Sequence, residues 1–134
     1  MNQGKQMKVA EVMEADFLVM DGLSTVAEAL TRLKERNAHF LLVDKRDDDD
    51  EYGIVLVSDI AKQVLAQNRA PARVNVYEIM TKPVLTVRPE MDIRYCARMF
   101  EHFGVSTAPV IKSGSIRGVV TYDALVLKGL AADL

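Results

Sequence analysis

The sequence lacks the features that mark several classes of protein. Its 134 residues include one cysteine, Cys96, and no tryptophan. A single cysteine cannot form an internal disulfide, which argues against a disulfide-stapled secreted domain. No apolar run approaches the roughly 20 residues that a membrane-spanning helix needs, and no apolar stretch follows the first lysines. These absences predict a cytoplasmic protein that is neither exported nor inserted in a membrane.

A strong charge of one sign is also missing, as are the common catalytic motifs. The net charge is -2 at pH 7, so no excess positive field is available to hold a phosphate backbone, and nucleic acid is not favoured as a partner. A small anionic ligand stays possible. The chain has no G-x-S-x-G, GxxxxGK[ST] or HExxH motif, and no carboxylates spaced for acid-base chemistry. We therefore expect that it is not an enzyme.

The most informative feature of the chain is an internal repeat. The segment "VAEVM" at 9–13 aligns with "VYEIM" at 76–80, 67 residues later, and the same offset pairs Val26 with Ile93 and Leu33 with Phe100. The offset falls to 65 at the glycines of "GIVLVSDI" and "GVVTYDAL", because the first copy has two extra residues in a polar hairpin.

The alignment divides the chain into three parts. We predict a first repeat at 1–67, a linker at 68–75 and a second repeat at 76–134. The linker assignment follows from the polar segment "QNRAPARVN", which contains Pro71.

Each copy predicts the element order β-α-β-β-α. The runs "FLVM" and "VLTV" predict first strands, and apolar residues at helical spacing predict a helix after Ser24 or Thr25 and another from Asp92 to Phe103, ending at Gly104. Two strands follow in each copy, "HFLLV" and "YGIVLV" in the first, "STAPVI" and "IRGVVTY" in the second. Final helices are predicted at roughly 59–67 and 123–130. The apolar strands predict sheets covered by helices, an α/β arrangement.

The doubled unit resembles a tandem pair of cystathionine-β-synthase (CBS) domains, also called a Bateman module. The matching elements are the V-x-E-[VI]-M segments, the "APVI" strand start of the second copy, and the G-h-h-[T]-x-x-D turn before each last helix, where h is apolar. The resemblance covers about residues 9–130. It implies an α/β fold, α+β in some schemes, in which two β-α-β-β-α repeats pack with pseudo-two-fold symmetry.

The resemblance also implies a function. Similar proteins are regulatory modules that bind AMP, ADP, ATP or S-adenosylmethionine in clefts between the repeats, without a metal, and that commonly form homodimers. A stand-alone module of this kind would signal to a partner protein that the sequence does not identify. In the family motif the aspartate accepts hydrogen bonds from the ribose hydroxyls and the threonine faces phosphate. This agrees with the chemistry, because a carboxylate offers two acceptor oxygens to a diol.

The two copies depart from the family motif in opposite ways. The first copy has Asp59 in the ribose position but Leu56 where threonine is usual. The second copy keeps Thr121, but Ala124 occupies the acid position and Asp123 lies one residue early. One residue turns a helical side chain by about 100°, so we expect Asp123 to point away from a sugar. The resemblance thus implies ribose recognition by Asp59 and a weakened or vacant second site.

The resemblance implies further residues around each ligand, ahead of the first strand and at the start of the second. Ser58 is a spare hydroxyl beside Asp59. The other implied residues of the first site are Asp16, Phe17, Ala38, His39 and Phe40. Those of the second site are Pro83, Val84, Val105, Ser106, Thr107 and Ala108.

Each candidate also has a plainer interpretation. Asp59 and Asp123 could serve only the helix dipole, which is worth about 0.3 to 1 kcal/mol, and His39 has no Cys/His cluster around it for a metal. The acidic run "DKRDDDDE" lacks the ordered glycine and glutamate of a calcium loop, so we predict a solvated hairpin tip. If Leu56 and Ala124 make both sites degenerate, the chain would be a ligand-free oligomerisation or interaction scaffold.

Overall fold

The computed structural model describes residues 6–134, which form two compact units. One unit is Leu18–Val84, and the other combines the chain up to Phe17 with Leu85–Leu134. Residues 1–5, which begin the predicted first repeat, lie outside the described residues. Neither unit coincides with one sequence repeat, because each consists mostly of one repeat together with the segment that opens the other.

The elements follow the predicted order except for the first strand of the second copy, which is absent, and a short helix or 3-10 turn opens each copy. Two of the helices continue as π-helical turns, Ala61–Leu65 after α3 and Leu125–Leu130 after α5, and 3-10 turns lie at Pro71–Arg73 and Val76–Glu78. The helices and strands are α1 (Val9–Val12), β1 (Val19–Met20), α2 (Val26–Arg36), β2 (Phe40–Val43), β3 (Gly53–Leu56), α3 (Val57–Ile60), α4 (Ile93–Phe103), β4 (Thr107–Lys112), β5 (Ser115–Thr121) and α5 (Tyr122–Ala124).

The unit Leu18–Val84 contains a three-stranded sheet in the order β1-β2-β3. Strand β1 pairs parallel with β2, and β2 pairs antiparallel with β3. Helix α2 begins at a capping box, because the Thr25 hydroxyl accepts from the Glu28 N–H at 3.1 Å and the Glu28 carboxylate accepts from the Thr25 N–H at 2.8 Å. The core of this unit includes Val26, Ala29, Leu41, Val55, Val76 and Ile79.

The second unit contains the antiparallel pair β4 and β5, with a register shift between Val110 and Ile111. Helix α4 begins at Asp92, whose carboxylate accepts from the Arg94 N–H at 2.7 Å, and it ends at Gly104 with φ 68°. This confirms the predicted glycine terminator, since L side chains rarely adopt that conformation. The core of this unit includes Val9, Val12, Cys96, Phe100, Val110 and Val120.

The glycine that opens each motif makes room for a crossing backbone segment in the same unit. In Leu18–Val84, Thr81 and Ile54 exchange two backbone hydrogen bonds of 2.9 and 3.0 Å. A Cβ added at Gly53 would lie 2.8 Å from the Met80 sulfur and 3.2 Å from the Thr81 carbonyl oxygen. The segment that opens the second repeat therefore packs beside the motif of the first.

The same arrangement recurs in the other unit. Glu14 and Val119 exchange backbone hydrogen bonds of 2.8 and 2.9 Å. A Cβ added at Gly118 would lie 2.6 Å from the Glu14 carbonyl oxygen and 3.0 Å from the Met13 sulfur. The opening segment of the first repeat thus packs beside the motif of the second.

The structure confirms the α/β fold class but corrects one predicted strand and the starts of two helices. The predicted strand "VLTV" is wrong as a strand, because Val84 donates to the Tyr52 carbonyl and only Val87 forms a bridge, with Val110. The final helices begin earlier than predicted, at Val57 and Tyr122. Within residues 6–134, no helix has both the length and the apolar character required to span a bilayer.

Candidate functional site

The turn between β3 and α3 positions Asp59 by capping. Leu56 is the last residue before α3, and its N–H donates to Asp59 Oδ2 at 2.8 Å. Asp59 is therefore the third helical residue, and its side chain is half-buried. The second oxygen, Oδ1, has no protein donor within residues 6–134. The turn thus holds a carboxylate in place while leaving half of its hydrogen-bonding capacity unused.

The start of β2 lies beside this turn. The Val57 N–H donates to the His39 carbonyl at 2.9 Å, and Phe40 lies opposite Leu56 in the sheet. His39 is exposed and Phe40 is half-buried. One unit therefore brings the backbone of His39 and Phe40 to the residues that position Asp59.

Four other predicted residues of the first site differ in their placement. Ser58 is exposed on α3, next to Asp59. The Ala38 N–H already donates to the Leu33 carbonyl at 2.9 Å, so it is not available to a ligand. Asp16 is exposed and Phe17 is half-buried, and both belong to the other compact unit.

The second motif turn uses a hydroxyl instead of a carboxylate. Thr121 Oγ1 accepts from the Ala124 N–H at 3.1 Å at the start of α5. Ala124 is 5 % exposed, whereas Asp123 is exposed. The position that corresponds to Asp59 is thus an apolar residue inside the core, and the nearest carboxylate lies on the outer side of the turn.

The residues predicted around the second site fall into two groups. The Tyr122 N–H donates to the Ser106 carbonyl at 3.1 Å, and Thr107 lies opposite Thr121 in the sheet. The next residue, Ala108, is fully buried, and Val105 is half-buried against the same core. Pro83 and Val84 belong to the compact unit Leu18–Val84. The structure therefore brings Ser106 and Thr107 to the Thr121 turn within one unit.

Two other candidates for chemistry are the Cys96 thiol and clusters of metal-binding side chains. Burial raises the pKa of the Cys96 thiol to about 11, which keeps it protonated and unreactive at neutral pH. Residues 6–134 contain no group of three or more His, Cys, Asp or Glu side chains that could hold a metal ion.

Sequence reasoning missed one ionic contact in the acidic hairpin. The Asp50 side chain is only 7 % exposed, and its Oδ1 lies 2.5 Å from Lys82 Nζ. The predicted solvated hairpin tip is therefore wrong at Asp50, because this carboxylate is largely shielded from solvent in its ion pair with Lys82. No spacing rule indicates the contact, since the two residues are far apart in sequence.

The family comparison matches nearly the whole chain. A family model described as "CBS domain" matches residues 9–66 and 76–129. Uncharacterized protein MK0525 of Methanopyrus kandleri is 24% identical over 91% of this chain and 62% of its own length. L-aspartate semialdehyde sulfurtransferase of Methanosarcina acetivorans is 32% identical over 92% of this chain and 24% of its own length. The chain thus spans less than two thirds of these relatives.

Solved structures show the same fold. A hexameric CBS-CP12 protein from bloom-forming cyanobacteria has a TM-score of 0.88 at 34% identity, covering 92% of this chain and 71% of that one. The CBS domain pair of protein MJ0100, in complex with 5′-methylthioadenosine and S-adenosyl-L-methionine, has a TM-score of 0.81 at 23% identity, covering 96% and 100%. The resemblance inferred from the repeat and the predicted fold class are both confirmed.

Proposed function

Because the chain belongs to the CBS domain family, we propose that it is a regulatory module that binds an adenosine-containing ligand through Asp59. The observation that carries this proposal is the half-buried carboxylate with one oxygen on the Leu56 N–H and the other without a protein donor. The free Oδ1 can accept from one ribose hydroxyl. The second hydroxyl can share Oδ2, since a carboxylate has about four lone-pair positions.

The surroundings of Asp59 favour a nucleoside over a bare sugar. The half-buried ring of Phe40 lies in the strand beside the turn, and an aromatic ring offers a stacking surface to a base, worth about 1 to 3 kcal/mol in single-strand complexes. Ser58 adds an exposed hydroxyl next to the carboxylate. The complex of MJ0100 contains two adenosine compounds. That protein shares the fold, and its ligands support the choice of AMP, ADP, ATP or S-adenosylmethionine as candidates.

The proposal is tested by titrating the purified protein with AMP, ADP, ATP, S-adenosylmethionine and 5′-methylthioadenosine by calorimetry and thermal shift. We expect at least one of them to bind, and Asp59→Asn to weaken that binding about tenfold or more, because a charge-assisted acceptor becomes a neutral one. The asparagine oxygen can still accept from the Leu56 N–H, so the unfolding midpoint should change little.

Asp123→Asn is the matched control for this titration. It removes the same charge one residue away from the equivalent position, on an exposed side chain, and should leave affinity unchanged. Absence of heat and of any melting shift with all five compounds at millimolar concentration would count against the proposal. Equal losses in the two variants would show that net charge, and not the position of Asp59, matters.

We also propose that the module acts as a homodimer that signals occupancy to a partner protein. Large apolar side chains are exposed on the helical turns that end each copy, at 78 % for Leu65, 69 % for Leu127 and 75 % for Leu130. Exposed apolar patches on a soluble protein mark association sites. Light scattering should give a dimer mass for the unmodified chain and a monomer mass for Leu127→Glu/Leu130→Glu, with Leu23→Glu, in an exposed turn, as control.

The alternative is a ligand-free scaffold. The burial of Ala124 where an acid would be needed, and Leu56 in the place of the motif hydroxyl, favour this reading. A stable dimer that binds none of the five compounds, and whose association with a partner is unchanged by Asp59→Asn, would support it over the sensor.

We further propose that the chain has no catalytic activity of its own. This chain covers only 24% and 22% of the lengths of two relatives named as enzymes, the sulfurtransferase and a homoserine O-acetyltransferase of Methanohalobium evestigatum. The cytoplasmic location stays a prediction from the sequence.

A further inference from the structure

The hairpin between β2 and β3 contains a carboxylate that is held on both oxygens. Asp50 Oδ1 contacts Lys82 Nζ at 2.5 Å, and Oδ2 accepts from the Arg46 N–H at 2.8 Å and from Arg46 Nε at 3.2 Å. Its side chain is 7 % exposed, although it ends a run of four aspartates. The hairpin therefore uses one of its acidic residues for a contact outside the hairpin.

The segment that contains Lys82 runs along β3 with a gap in its backbone contacts. Thr81 is joined to Ile54 by two hydrogen bonds, and the Val84 N–H donates to the Tyr52 carbonyl at 3.3 Å. Pro83, between these points, has no N–H to donate. The side chain of Lys82, 21 % exposed, supplies an additional attachment within this gap through its ion pair.

We propose that the ion pair between Asp50 and Lys82 is a latch that holds Pro83 and Val84 against β3, the strand that leads to the turn of Asp59. This inference rests on the proposed function, in which Asp59, in the same compact unit, binds the ligand. Asp50 and Lys82 act as positioning residues: they hold the segment against β3 and need not touch the ligand.

The second hairpin forms a different ion pair with a segment outside it, between Lys112 Nζ and Glu90 Oε2 at 3.0 Å. The residues 67 positions before Lys82 and Pro83 are Ala15 and Asp16, so the corresponding segment has no lysine, and the second hairpin "KSGS" has no carboxylate. In that unit Glu14 instead forms an ion pair with Lys128 on the final helical turn. The first hairpin is two residues longer than the second. It also contains the aspartate, Asp50, that forms an ion pair with Lys82 beyond α3.

Electrostatics keep the latch closed at neutral pH. The Lys82 ammonium, and next the Arg46 N–H, hold the pKa of the Asp50 carboxyl well below its ordinary value of 3.8. Asp50 therefore stays ionised despite the acidic residues on both sides. Salt should weaken the pair only in part, because both side chains are largely shielded from solvent.

The latch is tested by native-state amide hydrogen exchange on the full chain. In Asp50→Asn and Lys82→Met we expect the Val84 and Thr81 amides to exchange roughly three- to tenfold faster, while core amides such as that of Leu42 are unchanged. Asp48→Asn, an exposed neighbour in the same hairpin, should have no effect. The exchanged pair Asp50→Lys/Lys82→Asp should restore only part of the protection at Val84, because a lysine at position 50 cannot accept from the Arg46 N–H.

Calorimetry with ATP and S-adenosylmethionine on the same variants separates positioning from general stability. Weaker binding together with faster exchange at Val84 supports the latch. Unchanged exchange at Val84, faster exchange throughout the unit, or unchanged affinity in a locally loosened variant would each overturn it. If the unmodified chain binds neither ATP nor S-adenosylmethionine, the proposed adenosine site is wrong for these two compounds. The ion pair then has no role in binding them. The exchange data then show only whether the ion pair holds the segment.

Discussion

The first motif turn is capped by a carboxylate and the second by a hydroxyl. In the first, Asp59, the third residue of α3, accepts from the N–H of Leu56 just before the helix. In the second, Thr121, just before α5, accepts from the N–H of Ala124, the third residue. A complete capping box contains both bonds at once. The first turn has only the carboxylate bond of the box, and the second turn has only the hydroxyl bond.

This difference shows that the motif residues stabilise the fold whether or not a ligand binds. A threonine and an aspartate three residues apart form a helix cap even when no ligand is present. A capping residue can also bind a ligand only if it has a hydrogen-bond acceptor that the cap does not use. Asp59 keeps a free oxygen, whereas Ala124 leaves none. The comparison therefore supports our proposal that a ribose binds at the first turn, and it explains why the second still folds without its acid.

The largest effect should come from filling the space beside the second motif. Gly118→Ala should lower the free energy of unfolding by about 3 kcal/mol, because its Cβ would lie 2.6 Å from the Glu14 carbonyl oxygen, a backbone atom. Gly53→Ala should cost less, about 1 to 2 kcal/mol, because its nearest contact is the flexible Met80 side chain. Urea unfolding measures both.

Gly104→Ala is a useful reference for these two variants. No atom lies within 4 Å of its added Cβ, and its φ of 68° gives a cost from backbone conformation alone. If Gly53→Ala were as costly as Gly118→Ala, the distinction between a yielding side chain and a fixed backbone would be wrong.

The next largest effect should come from removing the hydroxyl cap. Thr121→Val keeps the shape of the side chain but leaves the Ala124 N–H without its acceptor, which should cost about 1 kcal/mol. Thr121→Ser keeps the hydroxyl and should recover most of the loss. A valine variant as stable as the original chain would show that this bond contributes nothing to folding.

Completing the box in the first turn should give a smaller, stabilising effect. Leu56→Thr adds the missing hydroxyl before α3, and Leu56→Val has the same shape without it. We expect the threonine variant to be more stable than the valine variant by about 0.5 kcal/mol in urea unfolding. Equal midpoints would indicate that the Asp59 bond alone already satisfies this turn.

Local patterns predicted much of the fold from the sequence. The start of α2 at Thr25 and the end of α4 at Gly104 follow from capping preferences that act over a few residues. The pairing of "HFLLV" with "YGIVLV" follows from alternating short strands and a polar turn. The sequence resemblance also identified Asp59 and the start of β2, which the structure brings together.

The features that the sequence did not predict depend on contacts between distant segments. Packing of the opening segment of one repeat beside the motif glycine of the other leaves no periodicity in either segment. For the same reason Val84 was predicted to be in a strand, although its N–H bonds to Tyr52. The ion pair of Asp50 with Lys82 joins a hairpin to a segment beyond the next helix, and charge patterning gave no sign of it.

The smallest expected effect is the pH dependence that Asp50, in the first copy, contributes to the stability of the fold. Because the pKa of Asp50 is lower in the folded chain than its ordinary value of 3.8, its ionised form stabilises the fold above about pH 4, and this contribution is lost as pH falls further. The urea midpoints of the original chain and Asp50→Asn should therefore differ at pH 7 and converge in acid, by less than the Thr121→Val effect. Asp48→Asn should show no such convergence. A gap that widens below pH 4 would mean that Asp50 is more easily protonated in the folded chain, and the two hairpins would then not differ as we describe.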